Sequence, residues 1–317
     1  MLEEAVRATE NVEKERAYRV FNQSGRFAQG WYWVMRSHHL RPNKVQTTQL
    51  LGRALILSRN SGKEVVIKDH QWPHDENSES YPVAERYGLI WVWIGKDAAA
   101  QGQVPGQAPG PLPHVPELGD QDCEAVLSDR FARQCHPNVL LINAIDAHHF
   151  NSVHNLPLEI RYEMCALSER ALQFNNVTRG GEASRFVRLI RPLYKNEVTY
   201  RLCYWYGNTG TVTLGPDFLH FYLMFALRPA ERDGKKGSTE GQMILLTPKR
   251  KGLFGWLFNR IVLFITQLVA AYFAKGDRHV FDSIKFNFKV PLAADRSIVQ
   301  FIQHVEAQPA LSWKDWT

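Results

Sequence analysis

The sequence predicts an α+β protein with two domains. Strand patterns come first along the chain, helical patterns come last, and a stretch rich in glycine and proline divides the strands into two groups. The 317 residues are 44% hydrophobic, which is enough apolar material for the cores of two domains. We therefore expect a small all-β domain followed by a larger domain of strands and helices.

The first domain is expected over residues 1–97, with short strands over 50–58, 64–68 and 89–94. Residues 98–118 are predicted to be a linker, because this stretch has many breakers and no periodic core face. The second domain is expected over residues 119–317. Its strand patterns lie near 186–190, 199–206, 220–227 and 242–246, and helices follow from about residue 254.

The net charge and the cysteine content indicate which partners and which cellular compartment to expect. The net charge of +6 suits an acidic partner, such as an acidic ferredoxin or an anionic membrane surface. Nucleic acid is disfavoured, because the basic residues are scattered and no recognition motif accompanies them. The first twenty residues lack the apolar segment of a secretory signal, and four unpatterned cysteines suggest a reducing compartment. These features predict a cytoplasmic protein.

A run of polar residues over 143–154 has the pattern of a metal site. Asn143, Asp146 and His149 recur every third residue, so on a helix they would share one face. His154 follows five residues later, so a bend or helix end must bring the two imidazoles together. Two imidazoles and a carboxylate from elsewhere form the facial triad that holds Fe(II). Asp146 could fix the tautomer of His149, and His148 is an alternative ligand that the three-residue spacing disfavours.

This run resembles the iron-binding signature of the Rieske non-haem iron oxygenases, in which Asn, Asp, His and His follow in this order. The similarity covers most of residues 25–305. Upstream, the stretches 31–37, 51–59 and 81–93 are similar to framework strands of the family's Rieske domain. Downstream, 276–281 and 294–301 are similar to its C-terminal helical end. The type indicated is the alpha subunit of the aromatic-ring-hydroxylating dioxygenases.

The resemblance implies a degenerate Rieske-like all-β domain followed by a helix-grip (Bet v1/START-like) catalytic domain. It also implies a mononuclear Fe(II) ion held by His149, His154 and Asp277. The family's carboxylate ligand precedes a pair of the Val–Phe type, which residues 280–281 match here. Asp282 is one alternative carboxylate.

Asp295 is the other alternative, but it matches a family aspartate outside the site. Asn143 is expected beside the iron ligands without binding the metal. In the family, an aspartate at the position of Asp146 also bridges to a cluster histidine of the neighbouring subunit in a head-to-tail homotrimer. The resemblance thus gives Asp146 a catalytic role in electron transfer. Oxygen from O2 would enter a small organic substrate, and NAD(P)H would act only indirectly, through a reductase.

The chain departs from the family at the [2Fe–2S] cluster. A Rieske cluster needs two thiolates and two imidazoles from loops of the form Cys-x-His and Cys-x-x-His. The four cysteines are Cys123, Cys135, Cys165 and Cys203, and no histidine follows any of them at those spacings. The short polar stretch between the flanking strands keeps His70 and His74 but no cysteine, and these two histidines are read as solvated loop residues. No [2Fe–2S] cluster is therefore expected in this chain.

Three explanations of that departure remain open. The chain could be a catalytic subunit served by an external Rieske protein, or by a ferredoxin with its reductase. It could be a catalytically silent relative that binds a hydrophobic ligand. A segment carrying both loops could also be missing from this sequence. The presence of all three presumed ligands favours the enzyme over the binding protein.

Residues 252–274 form an apolar segment long enough to cross a membrane. Asn259, Arg260, Thr266 and Gln267 interrupt it at seven-residue spacing, and this polar stripe continues towards Asp277. The pattern favours a core helix with a narrow polar face directed at the iron. Basic residues at 249–251 leave open a peripheral membrane contact through residues 249–274.

Overall fold

The computed structural model describes residues 18–70, 80–95, 108–153, 161–176, 198–216, 218–232, 235–284, 286 and 292–313. Its first part consists of short antiparallel strands. They are β1 (Arg26–Ala28), β2 (Gly30–Arg36), β3 (Lys44–Leu50), β4 (Arg53–Arg59), β5 (Val65–Asp69), β6 (Val83–Arg86) and β7 (Leu89–Ile94). Strands β3, β4 and β5 form one three-stranded sheet, and β2, β7 and β6 form another in the order β2-β7-β6.

The sheet of β2, β7 and β6 is buried on both faces, as the alternation of its side chains shows. Tyr32, Val34, Ile90 and Val92 belong to the core of the first domain, between the two small sheets. The residues between them point the other way, into a second core shared with the larger domain. Those residues are Trp31, Trp33, Trp91 and Trp93. We call this second core the interdomain core. A strand with both faces covered explains the continuous apolar run of β7.

The expected strand over 50–58 is interrupted at its start by a tight turn. Leu51 and Gly52 both have positive φ, of 53° and 83°, so β3 ends at Leu50 and β4 begins at Arg53. Positive φ at both central residues is the geometry of a type I′ hairpin turn, in which glycine is preferred at the second central position. The sequence pattern missed this turn because leucine is an unusual residue there.

The larger domain is built on one antiparallel sheet of seven strands. They are β8 (Cys123–Arg133), β9 (Tyr162–Ser168), β10 (Ala171–Asn176), β11 (Val198–Trp205), β12 (Thr209–Pro216), β13 (Phe221–Arg232) and β14 (Lys235–Pro248). Their order in the sheet is β8-β14-β13-β12-β11-β10-β9. The strands predicted near 199–206, 220–227 and 242–246 are confirmed by β11, β13 and β14. The strand predicted over 186–190 lies outside the described residues.

Four α-helices are present in the described part of the larger domain: α1 (Pro137–Ile142), α2 (Ala147–Ser152), α3 (Gly252–Ser283) and α4 (Arg296–Ala307). Helix α3 packs against strands β8, β13 and β14. Helix α4 is amphipathic and buries Ile298, Phe301, Ile302 and Val305. These helices cover the face of the large sheet opposite the interdomain core. The architecture is thus mostly β with helices added, as the predicted α+β class requires.

The second half of the predicted linker is closely packed. Val115 and Leu118 are buried in the interdomain core. The Trp31 indole donates to the carbonyl of Gly110 at 3.0 Å, and the Trp205 indole donates to that of His114 at 3.0 Å. Residues 110–118 therefore join the two parts of the protein. The predicted domain boundaries at residues 97 and 118 stay a prediction.

The last described strand returns to the first domain. Strand β15 (Ala310–Ser312) pairs with β1 in antiparallel register. Trp313 follows it into the core of the first domain, where its ring lies 6.0 Å from the ring of Phe27. The first and last strands of the described chain therefore complete the same structural unit.

Candidate metal centre

The predicted motif lies on two short helices joined by a turn, and not on one continuous helix. Helix α1 ends at Ile142, and one 3-10 turn covers Asn143–Ile145. Asp146 is then extended, with φ −84° and ψ 104°, before helix α2 begins. The expectation of one helical face over 143–149 is therefore wrong in its geometry.

Asp146 is the N-cap of α2. One of its carboxylate oxygens accepts the backbone N–H groups of His148 at 2.9 Å and His149 at 3.3 Å. An aspartate at this position satisfies free donors of the helix start and places negative charge at the positive end of the helix dipole. These contacts fix the start of the helix that carries His149. The predicted hydrogen bond from the His149 ring to Asp146 stays a prediction.

Hydroxyl groups of the large sheet and of α4 hold the turn before Asp146. Tyr162 and Tyr200 both donate to the carbonyl of Ala144, at 3.0 and 3.1 Å. Tyr204 donates to the carbonyl of Leu141 at 3.0 Å, and Ser297 donates to that of Ile145 at 2.8 Å. Carbonyls at a helix end lack partners within the helix. Side chains from distant parts of the sequence supply those partners here.

Burial keeps these phenols protonated. It raises the pKa of Tyr162, Tyr200 and Tyr204 well above the ordinary tyrosine value. Nearby Asp277 adds to the rise for Tyr200, because a second negative charge would be unfavourable beside a carboxylate. Each hydroxyl therefore remains a donor, as its contact with a carbonyl requires.

His149 and Asp277 meet at the centre of the candidate site. The Nε2 atom of His149 lies 2.7 Å from an Oδ1 oxygen of Asp277. The Nδ2 atom of Asn143 lies 2.9 Å from the same ring nitrogen. The His149 side chain is 5% exposed and that of Asp277 is 20% exposed, so both donor atoms are largely shielded from water. An imidazole nitrogen and a carboxylate oxygen thus face one point.

These three residues, which we call the polar end, line a mostly apolar cavity of about 310 Å³. The charged residues Asp129, Arg130 and Arg133 of β8 also line it. The cavity lies between the large sheet and the inner face of α3. Most of its walls are apolar or aromatic side chains: Phe131, Leu141, Tyr200, Leu202, Tyr204, Leu223, Phe225, Met243, Val269, Phe273 and Phe281. A mostly apolar pocket with a few convergent polar groups is typical of a small-molecule site.

The aromatic residues of β11 and of the strands that follow it divide between this cavity and the interdomain core. Tyr204 lines the cavity, but Trp205, Tyr206 and Tyr222 are buried in the interdomain core on the other face of the sheet. Phe218 is 69% exposed. Phe221 is half-buried and does not line the cavity. The alternation of a strand explains the split, because Tyr200, Leu202 and Tyr204 face the cavity while Cys203 and Trp205 face away.

The other predicted site residues fall into two groups. His154 and His74 lie outside the described residues, as does the side chain of Asp282. His148 and His70 are exposed. Within the described residues, no group of three His, Cys, Asp or Glu side chains is placed to hold a metal ion. The described part therefore contains two of the three predicted ligands.

Asp295 lies at the start of α4 and not in the cavity. Its carboxylate accepts the backbone N–H of Leu292 at 2.8 Å. Its position is that of a capping residue, whereas Asp277 is the carboxylate that contacts His149.

None of the four cysteines is in a disulfide: Cys123, Cys165 and Cys203 lie on strands of the large sheet, and Cys135 follows β8.

Helix α3 carries the predicted polar stripe in part. Asn259 and Thr266 are completely buried, while Arg260 is exposed beside Trp256. The Asn259 amide binds Arg250 at 2.7 Å and the carbonyl of Pro248 at 3.1 Å, so it anchors the start of the helix. Asp277 continues this inner face, as the sequence predicted. The expectation of a core helix is only partly met, because 28% of its most apolar window is buried.

Sequence reasoning missed Tyr162, Tyr200 and Ser297 as residues that position the site. The spacing of Tyr200 and Tyr204 is a signal that could have found Tyr200. Residues four apart on a strand point to the same face, so two tyrosines there place two hydroxyls on one surface. Tyr162 and Ser297 gave no such signal, since their contacts with Ala144 and Ile145 join distant parts of the chain.

Comparisons with known proteins find a relative in sequence and solved structures that share the fold. No protein-family model matches the chain. In sequence it is 27% identical to aminopyrrolnitrin oxygenase PrnD of Pseudomonas fluorescens, over 46% of this chain. The chain spans about half the length of that curated relative, at 51%.

Solved structures share the fold. Dicamba monooxygenase bound to 3,6-dichlorosalicylic acid has a TM-score of 0.54 at 16% identity, covering 92% of this chain and 97% of that one. The oxygenase of carbazole 1,9a-dioxygenase, in complex with ferredoxin, has a TM-score of 0.55 at 13% identity, covering 90% of each chain. The sequence relationship and the common fold confirm the similarity predicted from the motif, which is to the Rieske non-haem iron oxygenases.

Proposed function

We propose that the protein is a Rieske-type non-haem iron oxygenase that inserts oxygen from O2 into a hydrophobic or aromatic organic substrate. The observation that carries the proposal is the His149–Asp277 pair at the polar end of an apolar cavity. Homology to one oxygenase and the fold of several others support the same class.

The residues present fit a mononuclear Fe(II) ion. An imidazole nitrogen and a carboxylate oxygen already lie 2.7 Å apart and largely shielded from water. In this proposal His149, His154 and Asp277 hold the iron. With two imidazoles and one carboxylate, Fe(II) retains open positions for the activation of O2. Asp295 and His148 lie outside the cavity lining, which supports the choice of Asp277 and His149.

The protein's own contribution is to bind, orient and shield. The apolar walls from the sheet and α3 bind a hydrophobic substrate and exclude water from the polar end. The protonated tyrosines donate to the backbone, so they offer no phenolate to compete with the proposed ligands. The large sheet with α3 across one face, and a cavity between them, supports the finer assignment of the helix-grip fold.

Electrons reach this site, in our proposal, from an external Rieske protein or from a ferredoxin and its reductase, with NAD(P)H acting at the reductase. The related carbazole 1,9a-dioxygenase oxygenase forms a complex with a ferredoxin, which supports a separate electron donor. The net charge of +6 suits an acidic donor. A head-to-tail homotrimer would place Asp146 towards a neighbouring subunit.

The test is oxygenation by the iron-loaded protein. The protein is supplied with a panel of aromatic substrates, 18O2, and NADH with a reductase and a Rieske-type ferredoxin. We expect 18O in the product for the wild type and for Asp295→Ala, and none for Asp277→Ala. Turnover with NADH and a reductase but no iron–sulfur protein would contradict the proposed electron path.

The alternative function is binding of a hydrophobic ligand without catalysis, which the apolar cavity alone would support. It predicts equal ligand affinity for the wild type and Asp277→Ala, and no oxygenation with ferredoxin or with peroxide. That combined result would overturn the proposed enzyme.

A further inference from the structure

Helix α3 exposes a continuous apolar surface along its outer side. Leu253, Leu257, Ile261, Phe264, Leu268 and Tyr272 follow at spacings of four, four, three, four and four residues, so they share one side of the helix. We call these six residues the outer stripe. Each of them is between 49% and 76% exposed. At 1.5 Å per residue, the outer stripe is about 28 Å long.

Further exposed residues widen this surface. Phe254 is 87% exposed, and Trp256 and Phe258 are 48% and 41% exposed. Apolar residues scattered singly over a surface are ordinary, but a continuous patch marks a surface that contacts something else.

The opposite side of the same helix is packed against the protein. Val262, Leu263, Thr266 and Ala270 are buried, and the helix contacts three strands of the large sheet. Lipid therefore cannot surround α3, although its length and composition would suffice for a membrane span. These contacts fit a helix that lies parallel to a surface and touches it with its outer side.

The charged residues of the chain segment that carries the outer stripe are all basic. Lys249 and Lys251 are exposed before its first residue, and Lys275 is exposed just beyond its last. Arg260 is exposed at its edge, and the sequence has no acidic residue from 249 to 276. Two copies of the protein packed stripe to stripe would bring basic ends together in either orientation. An anionic surface would complement these charges.

We propose that the outer face of α3 lies in the surface of an anionic lipid bilayer, parallel to the membrane plane. The outer stripe enters the boundary between headgroups and acyl chains, and the flanking lysines contact anionic headgroups. Trp256 and Tyr272 are residue types enriched at this boundary. The inner face stays packed on the sheet, so the protein is attached to one leaflet without crossing it.

Sedimentation with lipid vesicles tests the proposal. Full-length protein is mixed with vesicles of phosphatidylcholine alone or with one third phosphatidylserine. We expect the wild type to bind the anionic vesicles, and added salt to weaken that binding. The stripe variant, Leu257→Asp/Phe264→Asp, should reduce the binding at least about tenfold, because two charges would enter the apolar boundary. Leu167→Asp is the matched control, since Leu167 is 43% exposed but lies on β9, at the edge of the sheet opposite the strands that α3 packs against, and should be dispensable.

A second measurement reports insertion directly. Brominated lipids should quench the fluorescence of the wild type, and Trp256→Phe should remove that quenched component. Circular dichroism and thermal unfolding establish that each variant is folded. Lys249→Glu/Lys251→Glu should remove the preference for anionic vesicles.

Three results would overturn the proposal. The wild type could fail to bind anionic vesicles, or the stripe variant could bind as well as the wild type. The stripe variant could also convert an oligomer to a monomer in light scattering while lipid has no effect, which would make the stripe a protein interface. Vesicle binding needs no turnover, so its outcome is independent of the proposed oxygenase function.

Discussion

The Nε2 atom of His149 lies 2.7 Å from the carboxylate of Asp277, although 128 residues separate them in the sequence. One residue belongs to a two-turn helix fixed by an aspartate cap, and the other belongs to a helix that packs across the large sheet. The pair meets because both helices lie on the same face of that sheet. Both residues of the pair also line the apolar cavity.

His149→Ala, His154→Ala and Asp277→Ala should each abolish iron binding, because each removes one of three proposed ligands. The wild type should bind about one iron per chain without the visible absorbance of an iron–sulfur cluster. Metal analysis of purified protein measures both. Asp295→Ala is the control and should keep its iron, since Asp295 caps a helix outside the cavity. Loss of iron from Asp295→Ala with retention in Asp277→Ala would reverse the assignment.

Asp146→Asn should retain most of the iron, because asparagine is also a good N-cap and can keep α2 in place. Asp146→Ala should lose the cap and about 0.5–2 kcal/mol of unfolding free energy. Urea unfolding of the two variants measures the contribution of the cap to stability, and metal analysis measures the effect of the lost charge on iron binding. If Asp146 also passes electrons, Asp146→Asn should lose ferredoxin-driven turnover more than peroxide-driven turnover. Equal losses by both routes would limit Asp146 to positioning His149.

Tyr162→Phe and Tyr200→Phe should each destabilise the protein less than expected from loss of an isolated buried hydrogen bond. Both hydroxyls donate to the carbonyl of Ala144, so either one can satisfy it alone. The double variant leaves that carbonyl without a donor, at a cost of about 1–3 kcal/mol. Its loss of unfolding free energy should therefore exceed the sum of the single losses. Strict additivity in urea unfolding would mean that the two hydroxyls act independently.

The Arg228–Glu240 pair should make stability depend on pH. Burial alone would raise the pKa of Glu240, but Arg228 and Arg130 outweigh it and lower the pKa below the ordinary value of 4.5. A carboxyl with a lowered pKa stabilises the folded state fully above its ordinary pKa, and this stabilisation is lost as the pH falls through the folded pKa. The wild type should therefore be more stable than Glu240→Gln at pH 7, and the difference should shrink below pH 4.5.

Urea unfolding across that pH range measures the effect. Glu163→Gln provides the comparison, because Glu163 is exposed on strand β9 and its replacement should change little at any pH. A difference between the wild type and Glu240→Gln that stays constant from pH 7 to acid would contradict the role of the charge.

Local pattern was sufficient to predict several strands, among them β5, β7, β11, β13 and β14, and the long helix. Alternation and apolar runs identify β7, β11 and β13 because those residues alternate between two buried faces or are buried on both. The residue motif led to Asn143 and His149, and the family resemblance led to Asp277; the structure brings the three together. Order along the chain was enough for the first two, which are close in sequence, whereas the choice of Asp277 needed the resemblance.

Features that depend on distant contacts could not be predicted in the same way. The break of the motif helix at Asp146 depends on hydroxyls from the sheet and from Ser297, which hold the preceding carbonyls. Residues 110–118 resembled a free linker, yet their carbonyls accept hydrogen bonds from buried tryptophans. The sequence of each segment alone does not indicate which distant side chains will donate hydrogen bonds to it.

The contact between Phe27 and Trp313 has a consequence for how the protein is made. A domain encoded at the start of a gene can usually fold while the remainder is still being synthesised. Here the core of the first domain includes Trp313, and strand β1 pairs with β15, which is synthesised much later. The two small sheets can form early on the ribosome, but their core cannot close until translation has passed residue 313. The unit to which β1 belongs is therefore completed only after all seven strands of the large sheet have been synthesised.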